Sequence, residues 1–251
     1  MICCNKLKSF YYRWLAKPLV KSLNVVNLTV KSGMDLKRTT WKSWTQRDIE
    51  ILESLATKIR VLSLEQIAKN WWGGSKNPVA DARKRISKLR KAGLIIRYQI
   101  NTHPMLQLEK PVISWFPNHD LPDFSSVAWR LKQRWTLPHY PTWIFIASKS
   151  TANLFASNSG TLKDPAQVTH DLHLAEVYLK CRKTRPRLAR AWVGEDAFGK
   201  AGYGIKDPDA FIMNSNGDAI HIIEFGGKYS SDRIRDFHEH CAQRSLGYEL
   251  W

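Results

Sequence analysis

Apolar and polar positions alternate along this chain with two distinct periods. Thr45 with Asp48 precedes a run carrying Ile49, Leu52 and Leu55, and Ser63 with Gln66 precedes Ile67 and Ala68. Each pair is a capping box, so each predicts the start of a short helix. From Pro78 to Gly93, Val79, Ala82, Ile86 and Leu89 recur at helical spacing, with the proline at the start and the glycine as the stop. After Gly93 the pattern turns β-rich in LIIRYQI, and QLEKPVISWF from Gln107 is the expected partner strand. Three helices followed by a hairpin predict a winged helix-turn-helix over 41–108. In that geometry the third helix enters the major groove, and its polar faces carry Arg83, Lys84, Arg85, Lys88, Arg90 and Lys91 as candidate DNA contacts. A solvated basic face without a ligand is the alternative.

Residues 109–162 are rich in Trp and Pro and read as a connecting region that packs on the carboxy-terminal domain. A helix is expected from Ser126 to Trp135 with Val127 and Leu131 inward, then a strand at 142–148. Trp129 and Trp135 fit core positions better than base-stacking ones. Over 163–251 the order is legible: helix at 170–181, strands at 190–196, 209–213 and 219–225, helix at 230–244 and a last strand at 247–251. The expected fold class is therefore α/β in the α+β sense, an amino-terminal winged helix followed by an αβββαβ domain.

The hairpin DPDAFIMNSNGDAIHIIEFGGK at 207–228 holds the chemistry. A tight turn at Asn216-Gly217 pairs residue 215 with 218 and, further along, sets Asp209 directly opposite Glu224. Opposed side chains have Cβ atoms about 4.5–5.5 Å apart, and like charges there are destabilising. A positive group is thus expected between them. Lys228 shares the face of Glu224 by strand alternation. A divalent cation such as Mg2+ or Mn2+ is the other candidate, since hard cations take carboxylate and phosphate oxygens. Two carboxylates meeting solvent at strand ends, with Lys228 in a surface ion pair, is the plain alternative.

Charge narrows the partners. Lys plus Arg number 39 against 22 Asp plus Glu, a net +17 that favours a polyanion, nucleic acid first. No apolar run approaches the roughly 20 residues that span a bilayer, so no membrane insertion is expected. Residues 1–40 read as a basic arm, its apolar positions broken by Lys6, Lys8, Arg13 and Lys17. Cys3, Cys4, Cys181 and Cys241 fit no zinc or disulfide spacing, which suits reduced thiols and a cytoplasmic location. His238 and His240 sit two apart on a helix and cannot form one metal site alone. Tyr11-Tyr12 lies in the arm and is not read as a nucleophile.

Pro208-Asp209, Glu224 and Lys228 on an αβββαβ core resemble the PD-(D/E)xK nuclease pattern, with one departure: Gly226 stands where Glu-x-Lys spacing places the lysine. With the amino-terminal helices and HDLHLAEVY, residues 43–251 resemble the MOBC family of plasmid relaxases. That resemblance implies a metal-dependent, site- and strand-specific nickase at a plasmid transfer origin, acting on double- and single-stranded DNA. It implies Asp209 and Glu224 as metal ligands, Lys228 as the assisting lysine, Glu176 as an extra ligand and His170 as a phosphate or base contact. An accessory nicking protein and a type IV coupling protein are the implied protein partners. A double-strand endonuclease and a non-enzymatic winged-helix regulator of plasmid replication or transcription remain the alternatives.

Overall fold

The computed structural model describes residues 44–162, 164–197 and 208–251; the basic arm, with Tyr11, Tyr12, Cys3 and Cys4, lies outside the described residues. The fold is mixed α/β. Helix α1 (Gln46–Glu53) runs into a π-helical turn (Ser54–Lys58), then strand β1 (Leu62–Ser63), helix α2 (Leu64–Trp71) and helix α3 (Pro78–Lys91). Both capping boxes close: the Asp48 carboxylate accepts the Thr45 N–H at 2.7 Å, and Gln66 Oε1 accepts the Ser63 N–H at 3.0 Å. Helix α3 ends where Gly93 takes φ +73°, the left-handed cap that glycine adopts without penalty.

Strand β2 (Ile95–Thr102) does not pair with the segment after Gln107. Its partner is a strand more than 35 residues on, Tyr140–Ala147 (β4), through eight antiparallel pairs from Ile95↔Ala147 to Thr102↔Tyr140. The expected partner supplies only Ile113–Trp115 (β3), at the edge of a different sheet. The physical reason is ladder length: β4 offers Thr142, Ile144 and Ile146 in unbroken alternation, whereas Pro111 removes a donor just ahead of β3. With β1 on its other side, β4 is the centre of a three-stranded sheet ordered β1-β4-β2.

Helix α4 (Phe124–Lys132) is capped by Asp123 and buries Val127 and Leu131 as expected. Trp129, read as a core residue, is instead 64% exposed, and Trp135 is half-buried beside the core. After α5 (Lys149–Leu154) comes α6 (Val168–Thr184), buried on nearly every side, then α7 (Pro186–Ala191), β5 (Trp192–Gly194), β6 (Ala210–Met213), β7 (Ala219–Glu224), α8 (Ser231–Ala242) and β8 (Gly247–Leu250). The second sheet is ordered β3-β8-β7-β6-β5, with β7 and β8 parallel across α8. One apolar cluster joins α1–α3, α6 and the inner face of this sheet, through residues such as Leu55, Ile67, Val177, Trp192 and Ile223. A second lies under α4 and α8 on the outer face. Helix α6 is thus the shared wall between the three-helix unit and the second sheet.

Candidate active site at the ends of two strands

Strands β6 and β7 pair Ala210↔Ile223, Phe211↔Ile222 and Ile212↔His221. One step further, Asp209 stands opposite Glu224, as the sequence predicts. The turn itself differs. It closes one residue earlier, with the Asn214 N–H on the Asp218 carbonyl at 2.9 Å and Gly217 at φ +83°. The register then shifts between Ile212 and Met213. Ile220 takes up the extra place and is half exposed. These two departures cancel, so the acids meet.

Both acids are buried, Asp209 to 7% and Glu224 to 0% exposure. Asp209 Oδ2 accepts the Phe225 N–H at 2.7 Å, and the Asp209 N–H reaches Glu224 Oε2 at 3.3 Å. Glu224 Oε1 accepts the Tyr229 hydroxyl at 2.6 Å. The positive group beside the pair is His170, from the first turn of α6. Its Nε2 lies 3.1 Å from Asp209 Oδ2 and 3.0 Å from the Phe225 carbonyl, while Nδ1 faces Asp171 Oδ1 at 3.3 Å. Burial alone would lower the pKa of this ring, but the charge of Asp209 and the hydrogen bonds to Asp171 and Asp209 outweigh it and push it up to about 10. His170 is therefore an imidazolium at neutral pH, donating from both nitrogens.

A second cation enters from the three-helix unit. Arg60, between the π turn and β1, reaches Glu195 at 2.7 Å, Asp196 at 3.1 Å and Asp171 at 3.9 Å. Burial opposes its charge, and these three carboxylates raise its pKa regardless. Tyr229 is pushed up to about 12, first by burial and then by the charge of Asp209, so it stays a phenol that donates to Glu224. The Arg233 guanidinium lies 4.1 Å from the centre of its ring.

Arg60, His170, Glu195, Asp209, Tyr229 and Arg233 line a cleft of about 920 Å³, with Glu224 fully buried behind Asp209. Arg60, His170, Lys228 and Arg233 bring positive charge to it, and Trp135, Leu137 and Pro138 form its apolar side. Lys228 is exposed at the cleft. Two residues before it, Gly226 is closed to a side chain: a Cβ there would lie 2.9 Å from Leu131 Cδ1 and 3.2 Å from Leu250 Cδ1. That position faces the core between α4 and β8, which is no place for an ammonium group.

Glu176 does not join the acid pair. It turns to α2, where its carboxylate accepts from Gln66 Nε2 at 3.2 Å and Lys69 Nζ at 3.1 Å. On α3, Arg83, Lys84, Lys88, Arg90 and Lys91 are exposed, but Arg85 is committed within the fold, its Nε 2.7 Å from the buried carboxylate of Asp48. Arg85 is thus a structural ion pair of the first capping box. His238 is buried against the Tyr248 hydroxyl while His240 is half-buried, so the two point apart as expected.

Sequence reading missed Arg60, Asp171, Tyr229 and Arg233. Asp171 and Tyr229 adjoin His170 and Lys228, so sequence proximity was available as a signal for them. Arg60 had none, since its role comes from tertiary contact across more than 100 residues.

Asp209 Oδ2 and the Phe225 carbonyl converge on one nitrogen and so define a locus for positive charge, with Glu224 hydrogen-bonded beside it. Oxygen donors of this kind suit Mg2+ or Mn2+, which keep several waters of their own. In this structure the His170 imidazolium fills that locus, and the two Glu224 oxygens accept the Tyr229 hydroxyl and the Asp209 N–H, so the donor type suits a hard cation while its place is taken by protein donors; Glu176 does not contribute. Among the described residues no three His, Cys, Asp or Glu side chains converge as a complete ligand set. None of their helices is long and apolar enough to cross a membrane. No protein-family model, no curated protein and no solved structure matches the chain.

Proposed function

We propose that this protein is a metal-dependent DNA nickase acting at a plasmid transfer origin, a mobilisation relaxase with a PD-(D/E)xK-type centre. The observation that carries the reading is the meeting of Asp209 and Glu224 at the ends of adjacent strands, beside a cleft supplied with cations. Support for the DNA-binding half is the order α1-β1-α2-α3-β2-β4, which reads as a winged helix-turn-helix whose wing strands are separated by an insertion. Its third helix presents Arg83, Lys84, Lys88, Arg90 and Lys91 to solvent.

Asp209 and Glu224 would hold Mg2+ or Mn2+. Such an ion polarises a phosphoryl oxygen and lowers the pKa of its water. The chain's own residues do the rest. Lys228 and Arg233 draw a phosphodiester into the cleft and stabilise charge developing on its oxygens. Tyr229, protonated at Oη, fixes the rotamer of Glu224. His170, held by Asp171, orients Asp209. An accessory nicking protein and a type IV coupling protein are the protein partners this reading implies.

The test is conversion of supercoiled plasmid carrying the element's own transfer origin to open circles with Mg2+ or Mn2+. Wild type should nick, chelator should stop it, and Glu224→Ala should bind DNA without cutting. A Glu224→Ala protein that cuts normally removes the acid pair from the mechanism, and linear product appearing first indicates double-strand cleavage. One observation favours a non-enzymatic reading: Asp209 and Glu224 already have internal donors in His170, Phe225 and Tyr229, as a structural polar knot would. That reading predicts binding and no cutting under any condition.

A further inference from the structure

The ladder formed by β2 and β4 has one buried and one open face. Ile144 and Ile146 point inward to Val168 and Leu172 at the start of α6. The other face, away from its α3 end, exposes Arg97, Gln99 and Asn101 on β2 and Pro141 and Trp143 on β4. Trp143 is 41% exposed, and the Arg97 guanidinium lies 4.2 Å from the centre of its ring. A tryptophan left open on a strand, with a cation fixed against it and no carboxylate among these exposed positions, is not explained by packing.

The position of the ladder is informative. At one end β2 leaves the Gly93 turn that closes the basic helix α3. At the other, both strands run into the cleft: His103 follows β2, Leu137, Pro138 and His139 precede β4, and all four line it. The open part of this face, from Arg97 to Asn101, is about 14 Å long at about 3.4 Å per residue, or about four nucleotides at the 3.4 Å rise of a DNA strand.

We infer that this face is a stacking platform for an unpaired stretch of DNA strand leading from the duplex held at α3 to the cleft. The inference rests on the nickase reading and adds the form in which substrate reaches the site. Bases stack on aromatic faces without regard to sequence, and arginine beside the ring serves the phosphates. Gln99 and Asn101 offer both donors and acceptors to base edges. The chain's net charge of +17 matches a polyanion along this path.

The test compares full-length wild type with Trp143→Ala, Trp143→Phe and Arg97→Ala, using a fluorescent 12-nucleotide single strand and a duplex of the same sequence at fixed salt. Trp129→Ala, which removes an exposed tryptophan from α4, is the control. Trp143→Ala should weaken single-strand binding about tenfold with duplex binding unchanged, Trp143→Phe should restore most of it, and Arg97→Ala should give a smaller loss. Unchanged single-strand affinity in Trp143→Ala, or equal losses on both probes, overturns the platform. So does tighter binding of an RNA strand of the same sequence. The two readings fail separately. A wild type that binds duplex through Lys88 and nicks through Glu224 while Trp143→Ala is silent loses only the platform; a wild type that binds neither probe loses the nickase reading with it.

Discussion

In the proposed nickase the lysine stands at 228 and not at 226, and Gly226→Ala tests whether the core closes the earlier position. The added Cβ would sit 2.9 and 3.0 Å from the two Leu131 methyl carbons and 3.2 Å from Leu250 Cδ1. Carbon atoms prefer about 3.5–4.0 Å, and Leu131 and Leu250 are both 0% exposed, so they have little room to retreat. Overpacking of this kind costs about 1–3 kcal/mol. The gain from a less flexible unfolded chain offsets about 0.4–1 kcal/mol of that. A net loss of about 1 kcal/mol lowers Tm by about 2–4 °C in a chain of this size. Gly226→Lys should lose several times more, because it brings an unpaired ammonium to the same apolar face. Thermal melts followed by circular dichroism read both, and Leu131→Ala completes a double-mutant cycle. Together with Gly226→Ala it should cost less than the two changes separately, since the methyls that clash are gone. A Gly226→Ala protein that melts at or above wild type refutes the reasoning, as does a stable Gly226→Lys protein that nicks faster. Either would mean that position 226 opens to the cleft.

Two further outcomes follow from the side-chain assignments. Lys88→Ala should weaken DNA binding and reduce the slope of log affinity against log salt by about one, whereas Arg85→Ala should leave that slope unchanged and destabilise the fold by about 1–3 kcal/mol, because the buried carboxylate of Asp48 loses its charged partner and keeps only the Thr45 donors; a salt slope that drops with Arg85 would move this residue to the DNA. His173 is buried, donates from Nδ1 to the Thr169 carbonyl and accepts the Leu106 N–H at Nε2, and burial first of all holds its pKa down to about 4. Between pH 6.5 and 4 the unfolded chain binds this proton and the folded chain does not, so the stabilisation is full above pH 6.5 and declines by about 3 kcal/mol as pH falls to 4. In denaturant titrations His173→Gln should flatten that part of the profile, and an unaltered profile would show that the ring is not the group responsible.

Short-range order was legible in the sequence. Thr45 with Asp48 and Ser63 with Gln66 each specify a cap within four residues, and both caps form. The opposition of Asp209 and Glu224 was legible because side chains alternate strictly along strands, so even a misread turn left the register intact once the bulge at Ile220 compensated. What escaped was non-local. Nothing near β2 tells it to pair with β4 in place of the segment after Gln107, because the choice is made by the apolar alternation of a strand far along the chain. Glu176 was assigned from the family resemblance and Arg85 from residue type and helix spacing, but their partners, Lys69 and Asp48, come from other helices, and tertiary packing sets those contacts. His170 was recognised as a site residue, while its role as the cation beside Asp209 depends on the Phe225 carbonyl and Asp171 as well.

The two halves of the chain are physically coupled at the acid pair, and Arg60 is the reason. The π turn at Ser54–Lys58 is a local irregularity of the kind that often marks functional sites. It is fastened to β5 at three points: Lys58 Nζ donates to the Trp192 carbonyl at 2.6 Å, Trp192 Nε1 donates to the Lys58 carbonyl at 2.9 Å, and Gly194 lies so close that a Cβ there would collide with that carbonyl oxygen. The chain leaving this turn delivers the Arg60 guanidinium to Asp171, Glu195 and Asp196. Asp171 in turn faces the imidazolium of His170, the cation beside Asp209. A residue of the helical unit thereby shares Asp171 with the cation beside the acid pair. In the proposed nickase, a shift of α1 would reach Asp209 along Arg60, Asp171 and His170, a contact that the sequence lays out across separate units.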